Sequence, residues 1–224
     1  MDHTDLLLED LDADGALREA GERAGISRAT FLAGSLAGTI AALAAAPAAE
    51  ATSDADVAIL NFALVLEYMQ AAFYTEAERS KALHGKADDA TQRVGAVERA
   101  HVDAFKDLLG HDAVKRPTFN FRGTTESERA FLKTAVAFED LAVAAYKGQA
   151  PRLRSKAVLA AAVSIHSVEA RHAAWMRYLY GVPPAVAAFD DAAPKQEIVR
   201  VVRSTGFIVS RPRTEGRGRP SFIG

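Results

Sequence analysis

The sequence contains the same pattern of glutamate and histidine twice. In each copy one glutamate is followed by a Glu-x-x-His pair, after 31 residues in the first copy and after 30 in the second. The six residues are Glu67, Glu98 and His101 in the first copy and Glu139, Glu169 and His172 in the second. Matching positions are separated by 72, 71 and 71 residues, and the chain contains no other Glu-x-x-His pair. Because residues three apart share one face of a helix, each pair can direct both side chains at one metal ion, so the duplication predicts a pseudo-two-fold site.

The four glutamates lie within apolar stripes, because the residues one and two turns away on the same helix face are mostly apolar. Four buried carboxylates without counter-charge would be strongly destabilising or would retain their protons. Two divalent cations would balance them, and two neutral imidazoles would complete an oxygen and nitrogen shell suited to iron or manganese. The alternative is that the glutamates lie on solvated helix faces and that His101 and His172 are simply packed in the core.

The remaining pattern predicts an all-α chain, since no segment alternates convincingly between apolar and polar residues. The predicted helices A, B, C and D cover residues 53–83, 87–109, 125–148 and 151–180, with a short helix near residues 194–204. Ser53 and Thr125 each indicate a capping box, and Pro151 suits the first turn of helix D.

The linker between helices B and C decides how the bundle is connected. Its 14 residues, 111–124, can stretch to roughly 45 Å, which exceeds the ~33 Å length of a helix of about 22 residues. A long crossover is therefore feasible, and it would make helices B and C run in the same direction.

The order Glu, Glu-x-x-His, Glu, Glu-x-x-His on four helices resembles the ferritin-like di-metal carboxylate superfamily. The stretch DVAILNFALVLEY, residues 56–68, is similar to a bacterial and plant subgroup called desiccation-related or ferritin-like domain proteins. The resemblance covers about residues 54–180. It implies a ferritin-like four-helix bundle with a long B–C crossover. It also implies that the three residues of each copy hold one half of a di-metal site, with some glutamates bridging.

Four further residues lie near the predicted ligands. Tyr74 and Tyr146 each follow the first glutamate of their copy by seven residues. The resemblance implies that their phenols donate hydrogen bonds to ligating carboxylates, and ordinary core packing is the alternative. His166 either supports the ligands or is a packed histidine, and Gln70 either lines an access path or lies on the helix surface.

The resemblance implies two metal ions as cofactor, with iron as the first candidate and manganese as the alternative. The expected chemistry is Fe(II) oxidation or reaction with dioxygen or peroxide in stress protection. The alternatives are manganese catalase-like peroxide dismutation and a non-catalytic, metal-stabilised, desiccation-related structural protein. The absence of cysteine excludes thiolate zinc sites, iron–sulfur clusters and a rubredoxin module. A formal net charge of −2 gives no indication of a nucleic-acid partner, and an oligomer is left open.

The first 51 residues differ from the rest of the chain. Residues 2–28 carry eight acidic side chains, whereas residues 30–49 carry no charge. The stretch SRATFL, residues 27–32, is similar to a twin-arginine export signature in which Ala29 replaces the second arginine. We therefore expect an export signal, and a periplasmic or extracellular location, if residues 27–51 act as one; otherwise the protein is cytoplasmic.

If the segment is retained instead, any membrane association would involve only residues 30–49. The predicted organisation is a signal-like or retained segment at 1–51, a ferritin-like bundle at 52–184, and a short helix with a basic, flexible tail at 185–224.

Overall fold

The computed structural model describes residues 53–209, and these residues are helical apart from their connections. The helices are α1 (Asp54–Ser80), α2 (Gly85–Leu109), α3 (Glu128–Gln149), α4 (Lys156–Tyr180) and α5 (Lys195–Thr205), with short 3-10 turns at Gly110–Asp112 and Ala150–Arg152. The all-α prediction is confirmed. The predicted signal-like segment at 1–51 and most of the predicted basic tail, from residue 210 onward, lie outside the described residues.

Helix α1 begins where the sequence indicates, but Asp56 does not complete a capping box. The Ser53 hydroxyl accepts a hydrogen bond from the backbone N–H of Asp56. The Asp56 carboxylate instead accepts from the backbone N–H groups of Arg154 and Ser155, at 2.9 and 3.1 Å. A side chain predicted to act locally therefore fixes the start of α4 against the start of α1.

The starts of α3 and α4 differ from prediction. The N-cap of α3 is Ser127 and not Thr125, whose hydroxyl donates to Glu76 of α1 at 2.8 Å. Pro151 lies in the 3-10 turn before α4, and Ser155 provides the N-cap of that helix. The predicted starts of helix C at Thr125 and of helix D at Pro151 are both wrong. Contacts with α1, made by Thr125 before α3 and by Arg154 and Ser155 before α4, determine where the two helices begin.

Contacts between the halves establish the direction of each helix. Tyr74 on α1 contacts Glu139 on α3, and Tyr146 on α3 contacts Glu67 on α1, so α1 and α3 run antiparallel. Helix α2 pairs with α1 through the short loop 81–84 and is also antiparallel to it. Helices α2 and α3 therefore run in the same direction, which is the ferritin-like arrangement with a long crossover.

The crossover, residues 110–127, is fixed to the bundle at both ends. The Asn61 side chain donates to the Asp112 carbonyl at 2.9 Å and accepts from the Val114 N–H at 2.8 Å. Further along, the Phe121 ring is buried against the rings of Phe73, Phe138 and Phe207.

The segment after α5 pairs with the crossover. The Asn120 N–H donates to the Phe207 carbonyl at 2.8 Å, and the Val209 N–H donates to the Thr118 carbonyl at 2.9 Å. Helix α5 itself packs against α3 through buried Ile198. We call the residues that follow α5, 206–209, the clasp, because they join the end of the described chain to the crossover.

Helix α1 is enclosed on all sides over its central part, since every residue from Leu60 to Tyr74 is buried. Among the described residues it is the one helix long and apolar enough to cross a membrane, yet 78% of its most apolar 18-residue window is buried within the fold. A helix that is apolar all round is typical of the centre of a bundle. Glu67 therefore lies at the middle of the most enclosed helix.

Helices α1 and α2 lie close together at Gly95. A Cβ atom at this position would lie 2.5 Å from Glu78 Oε1 and 2.9 Å from the Tyr74 Cβ. The Glu78 Oε1 atom is at the end of a flexible side chain and can move away, but the Tyr74 Cβ is attached directly to the α1 backbone. Only glycine allows this spacing.

We expect Gly95→Ala to destabilise the protein by roughly 1–3 kcal/mol, because the added methyl must push α2 away from Tyr74. Without that contact the same change would stabilise a helix interior by roughly 1 kcal/mol, so the sign of the effect is diagnostic. Urea unfolding of the variant and the parent measures it. In a Glu78→Ala background the loss should persist, and a gain in stability would contradict the prediction.

Candidate metal centre

The six residues of the duplicated pattern meet at the middle of the bundle. Helices α1 and α3 supply one glutamate each, and α2 and α4 each supply a Glu-x-x-His pair. All four glutamates are 0% exposed. The alternative of glutamates on solvated faces is therefore wrong, since the structure places every one of these carboxylates in the core.

The side chains form two groups, each centred on one histidine. His101 Nδ1 lies 3.3 Å from Glu67 Oε2, 3.1 Å from Glu169 Oε1 and 3.8 Å from Glu98 Oε2. Within this group all candidate ligand atoms lie within 4.8 Å of one another. We call Glu67, Glu98, His101 and Glu169 the His101 position.

The second group has the same composition around the other histidine. His172 Nδ1 lies 2.8 Å from Glu98 Oε1 and 3.7 Å from Glu139 Oε2, and Glu169 completes the group within the same 4.8 Å limit. We call these four residues the His172 position. Glu98 and Glu169 belong to both positions, so the two shared carboxylates come from the two Glu-x-x-His pairs.

Most of the atoms that face each other across the two positions have no hydrogen-bond partner among residues 53–209. They are Glu67 Oε2, both oxygens of Glu98, Glu169 Oε1, His101 Nδ1 and His172 Nδ1. Buried polar atoms without partners are uncommon in folded proteins. A cation in each position would satisfy all of them together, with one imidazole for each ion and two carboxylates shared between the ions. The donor set therefore fits two divalent cations.

The two tyrosines hold the carboxylates across the bundle. The Tyr74 hydroxyl donates to Glu139 Oε1 and the Tyr146 hydroxyl donates to Glu67 Oε1, both at 2.5 Å. Each tyrosine thus orients the glutamate that belongs to the other copy of the pattern. The sequence suggested a carboxylate partner for each phenol, but it did not indicate that the partners are exchanged between the copies.

Gln70 has a part in the site that sequence analysis missed. Its Nε2 donates to Glu139 Oε2 at 3.1 Å and to Glu169 Oε2 at 3.2 Å, and the residue is 1% exposed. It is therefore not a surface amide. The signal in the sequence was its spacing of three from Glu67, which puts it on the inward face. His166 is placed one turn from Glu169 with its Nε2 buried and without a hydrogen-bond partner in the described part of the chain.

Burial and mutual repulsion change the protonation of the carboxylates. Burial, followed by the charge of Glu169, raises the pKa of Glu67 to about 8. The pKa of Glu139 is also raised well above its ordinary value, by burial and then by the charges of Glu98 and Glu169. Without cations, protons therefore relieve part of the negative charge at neutral pH.

The histidines act in the opposite sense on the shared carboxylate. Burial alone would raise the pKa of Glu98, but its contacts with His101 and His172 bring it to about 2. Burial alone would lower the pKa of His101, yet the charge of Glu67 and the neighbouring carboxylates raise it well above 6.5. Because metal ligation needs ionised carboxylates and neutral imidazoles, cation binding must release these protons.

The family model for the ferritin-like domain matches residues 55–182 of the chain. A bundle with this connectivity and a central cluster of carboxylates and imidazoles defines the class, and the chain belongs to the ferritin-like domain family. The predicted superfamily and its fold are confirmed. A search of curated proteins returned no match.

We expect the metal-free protein to lose stability, on the order of 3 kcal/mol, as the pH rises from about 5 to about 8. The Glu67 pKa is near 4.5 in the unfolded chain and about 8 in the folded protein, so the folded state binds more protons in this range and deprotonation favours unfolding. His101 acts in the same direction above pH 6.5, since its folded pKa is raised. Thermal unfolding in the presence of a chelator measures the slope.

Glu67→Gln is the matched variant for this prediction, because an amide has no proton to lose in that range. Its stability should depend less on pH than that of the parent. Glu78→Gln, which changes a carboxylate ion-paired with Arg99 outside the cluster, should keep the parental slope. A metal-free protein that becomes more stable toward pH 8 would contradict the assignment of these protons.

Proposed function

We propose that the protein is a di-iron carboxylate protein that oxidises Fe(II) with dioxygen, or with peroxide, in protection against oxidative stress. One observation carries the proposal: two buried groups of ligand atoms, each fitted to a divalent cation, share Glu98 and Glu169. Shared carboxylates keep two cations close together, as a two-electron reaction with one oxidant molecule requires.

Two iron ions in this site would supply the electrons for reduction of the oxidant. The chain's own residues bind the ions, orient the carboxylates and exclude water. Tyr74 and Tyr146 restrict their partner glutamates through one oxygen each and leave the other oxygen directed at the cluster. Complete burial of the four carboxylates strengthens their attraction for cations, because water does not screen the charges.

An apolar pocket next to the cluster favours dioxygen as the oxidant. The cavity is small, about 20 Å³, which is room for one small molecule, and its surface is formed by apolar atoms. All four bundle helices line it, through residues that include Ala63, Leu66, Phe105, Tyr146 and Ala162. Tyr146 also donates to Glu67, so the pocket lies directly beside the His101 position. An apolar pocket suits dioxygen better than the more strongly hydrated peroxide.

Peroxide dismutation by a manganese pair uses the same kind of ligand set, and the apolar pocket is the feature that favours the proposed function over it. A purely structural role is supported by the cluster's unbalanced charge, because cations would stabilise the fold whether or not they turn over. Metal analysis of the purified protein separates iron from manganese. Assays of Fe(II) oxidation and of peroxide consumption then separate the three functions.

We expect the metal-free chain to bind two Fe(II) ions under anaerobic conditions, and Glu98→Gln to abolish tight binding of both. The reason is that Glu98 contributes one oxygen to each position. Isothermal titration calorimetry, with metal content measured after desalting, provides the stoichiometry. Glu78→Gln on the neighbouring helix is the control and should bind two ions. Binding of two ions by Glu98→Gln with unchanged affinity would contradict the proposed site.

We expect Ala162→Leu to slow Fe(II) oxidation by dioxygen several-fold while leaving oxidation by added peroxide unchanged. The larger side chain fills part of the pocket, and Ala162 is not one of the six candidate ligands. Stopped-flow absorbance with each oxidant measures both rates. Ala160→Leu, on the exposed face of the same helix, is the matched control. Equal slowing with both oxidants would show that the pocket does not select dioxygen.

A further inference from the structure

The duplicated pattern is broken at one buried position. Gln70 follows Glu67 by three residues, whereas Ala142 follows Glu139 by three residues. Both are buried, at 1% exposure each. The pseudo-two-fold site therefore contains an amide on one side and a methyl group on the other, so its two halves differ chemically.

The amide engages only one of the two equivalent glutamates. Glu139 accepts from Tyr74 through Oε1 and from Gln70 through Oε2, so both of its oxygens carry a hydrogen bond. Glu67 accepts from Tyr146 through Oε1. Its Oε2 has no hydrogen-bond donor in the described part of the chain and lies 3.3 Å from His101 Nδ1, which is itself a candidate ligand. The Oε2 atom of Glu139 therefore accepts a hydrogen bond from an amide, whereas the Oε2 atom of Glu67 does not.

The same difference extends to the whole coordination shell. At the His101 position each of the four residues offers a ligand atom that has no hydrogen bond to another described residue. The four atoms are Glu67 Oε2, Glu98 Oε2, Glu169 Oε1 and His101 Nδ1. At the His172 position Glu98 Oε1 and His172 Nδ1 have no hydrogen-bond partner within residues 53–209. Glu139 Oε2 and one of the two Glu169 oxygens, Oε2, accept hydrogen bonds from Gln70.

A hydrogen bond weakens a carboxylate oxygen as a metal ligand. It uses one lone pair of the oxygen and attracts part of its negative charge. A cation at the His172 position therefore competes with the Gln70 amide for Glu139 Oε2, which lies 3.7 Å from His172 Nδ1, and for one of the two Glu169 oxygens. A cation at the His101 position meets no such competitor.

We propose that Gln70 makes the two metal positions unequal, so that the His101 position fills first and holds its ion more tightly than the His172 position. The inference rests on the proposed two-metal function. It assigns a resident ion to the His101 position and an exchangeable ion to the His172 position.

Anaerobic titration of the purified full-length, metal-free chain with Co(II) tests the order of filling, because visible absorbance reports ligand geometry and calorimetry reports affinity. We expect two steps that differ by roughly tenfold or more in Kd, the scale set by the hydrogen bonds to charged carboxylates that a cation at the His172 position must displace. Two equal steps would overturn the inference. No binding in either measurement would overturn the proposed function as well.

Two pairs of variants assign the steps. His172→Ala should retain the tight step and lose the weak one, and His101→Ala should do the reverse. Gln70→Leu keeps the side-chain size but removes the donor, so it should tighten the second step and bring the two Kd values together. Circular dichroism confirms folding of each variant. Loss of the tight step in His172→Ala, or an unchanged Kd ratio in Gln70→Leu, would overturn the role assigned to Gln70.

Discussion

The burial of four carboxylates within one bundle is the constraint on which the rest of the structure depends. Ionised groups removed from water are strongly unfavourable unless charge and hydrogen bonds are supplied by the surroundings. Here two tyrosines, one glutamine and two histidines surround the carboxylates, and the remaining unengaged atoms face one another. The centre of the bundle is therefore suited to cations. Apolar side chains in place of these carboxylates would give a more stable core, so the cluster is not explained by stability alone.

The exchange of tyrosines between the copies links that constraint to the fold. Tyr74 reaches Glu139 and Tyr146 reaches Glu67 because α1 and α3 run antiparallel across the centre. This direction requires α2 and α3 to be parallel, and the crossover makes it possible. A simple up-and-down bundle would run α2 and α3 antiparallel and would give a different set of neighbours. The connectivity of the helices therefore determines which side chains meet at the site.

Local spacing predicted much of this, because residues three or four apart on a helix necessarily share a face. The duplicated glutamates and histidines indicated both the helices and the inward direction of their side chains. Spacing along one helix does not predict contacts between segments that are distant in the sequence. Thr125 was predicted to cap α3 but contacts α1 instead, and Pro151 lies before α4 because Ser155 caps it. The partners of Gln70 lie on two other helices, so no spacing within α1 could reveal them.

The clasp has a consequence for how the protein can change over evolutionary time. The matched family domain ends at residue 182, beyond the last candidate ligand, whereas the clasp and α5 follow it. The clasp pairs with the crossover through main-chain atoms. Any residue except proline at position 209 has the backbone N–H that donates to the Thr118 carbonyl. Two of its positions do depend on the residue type: the Phe207 ring packs on Phe121 and Phe138, and Gly206 has a φ of 62°. Substitutions at the exposed positions of α5 and of the clasp can therefore change the stability of the fold without contacting a candidate ligand.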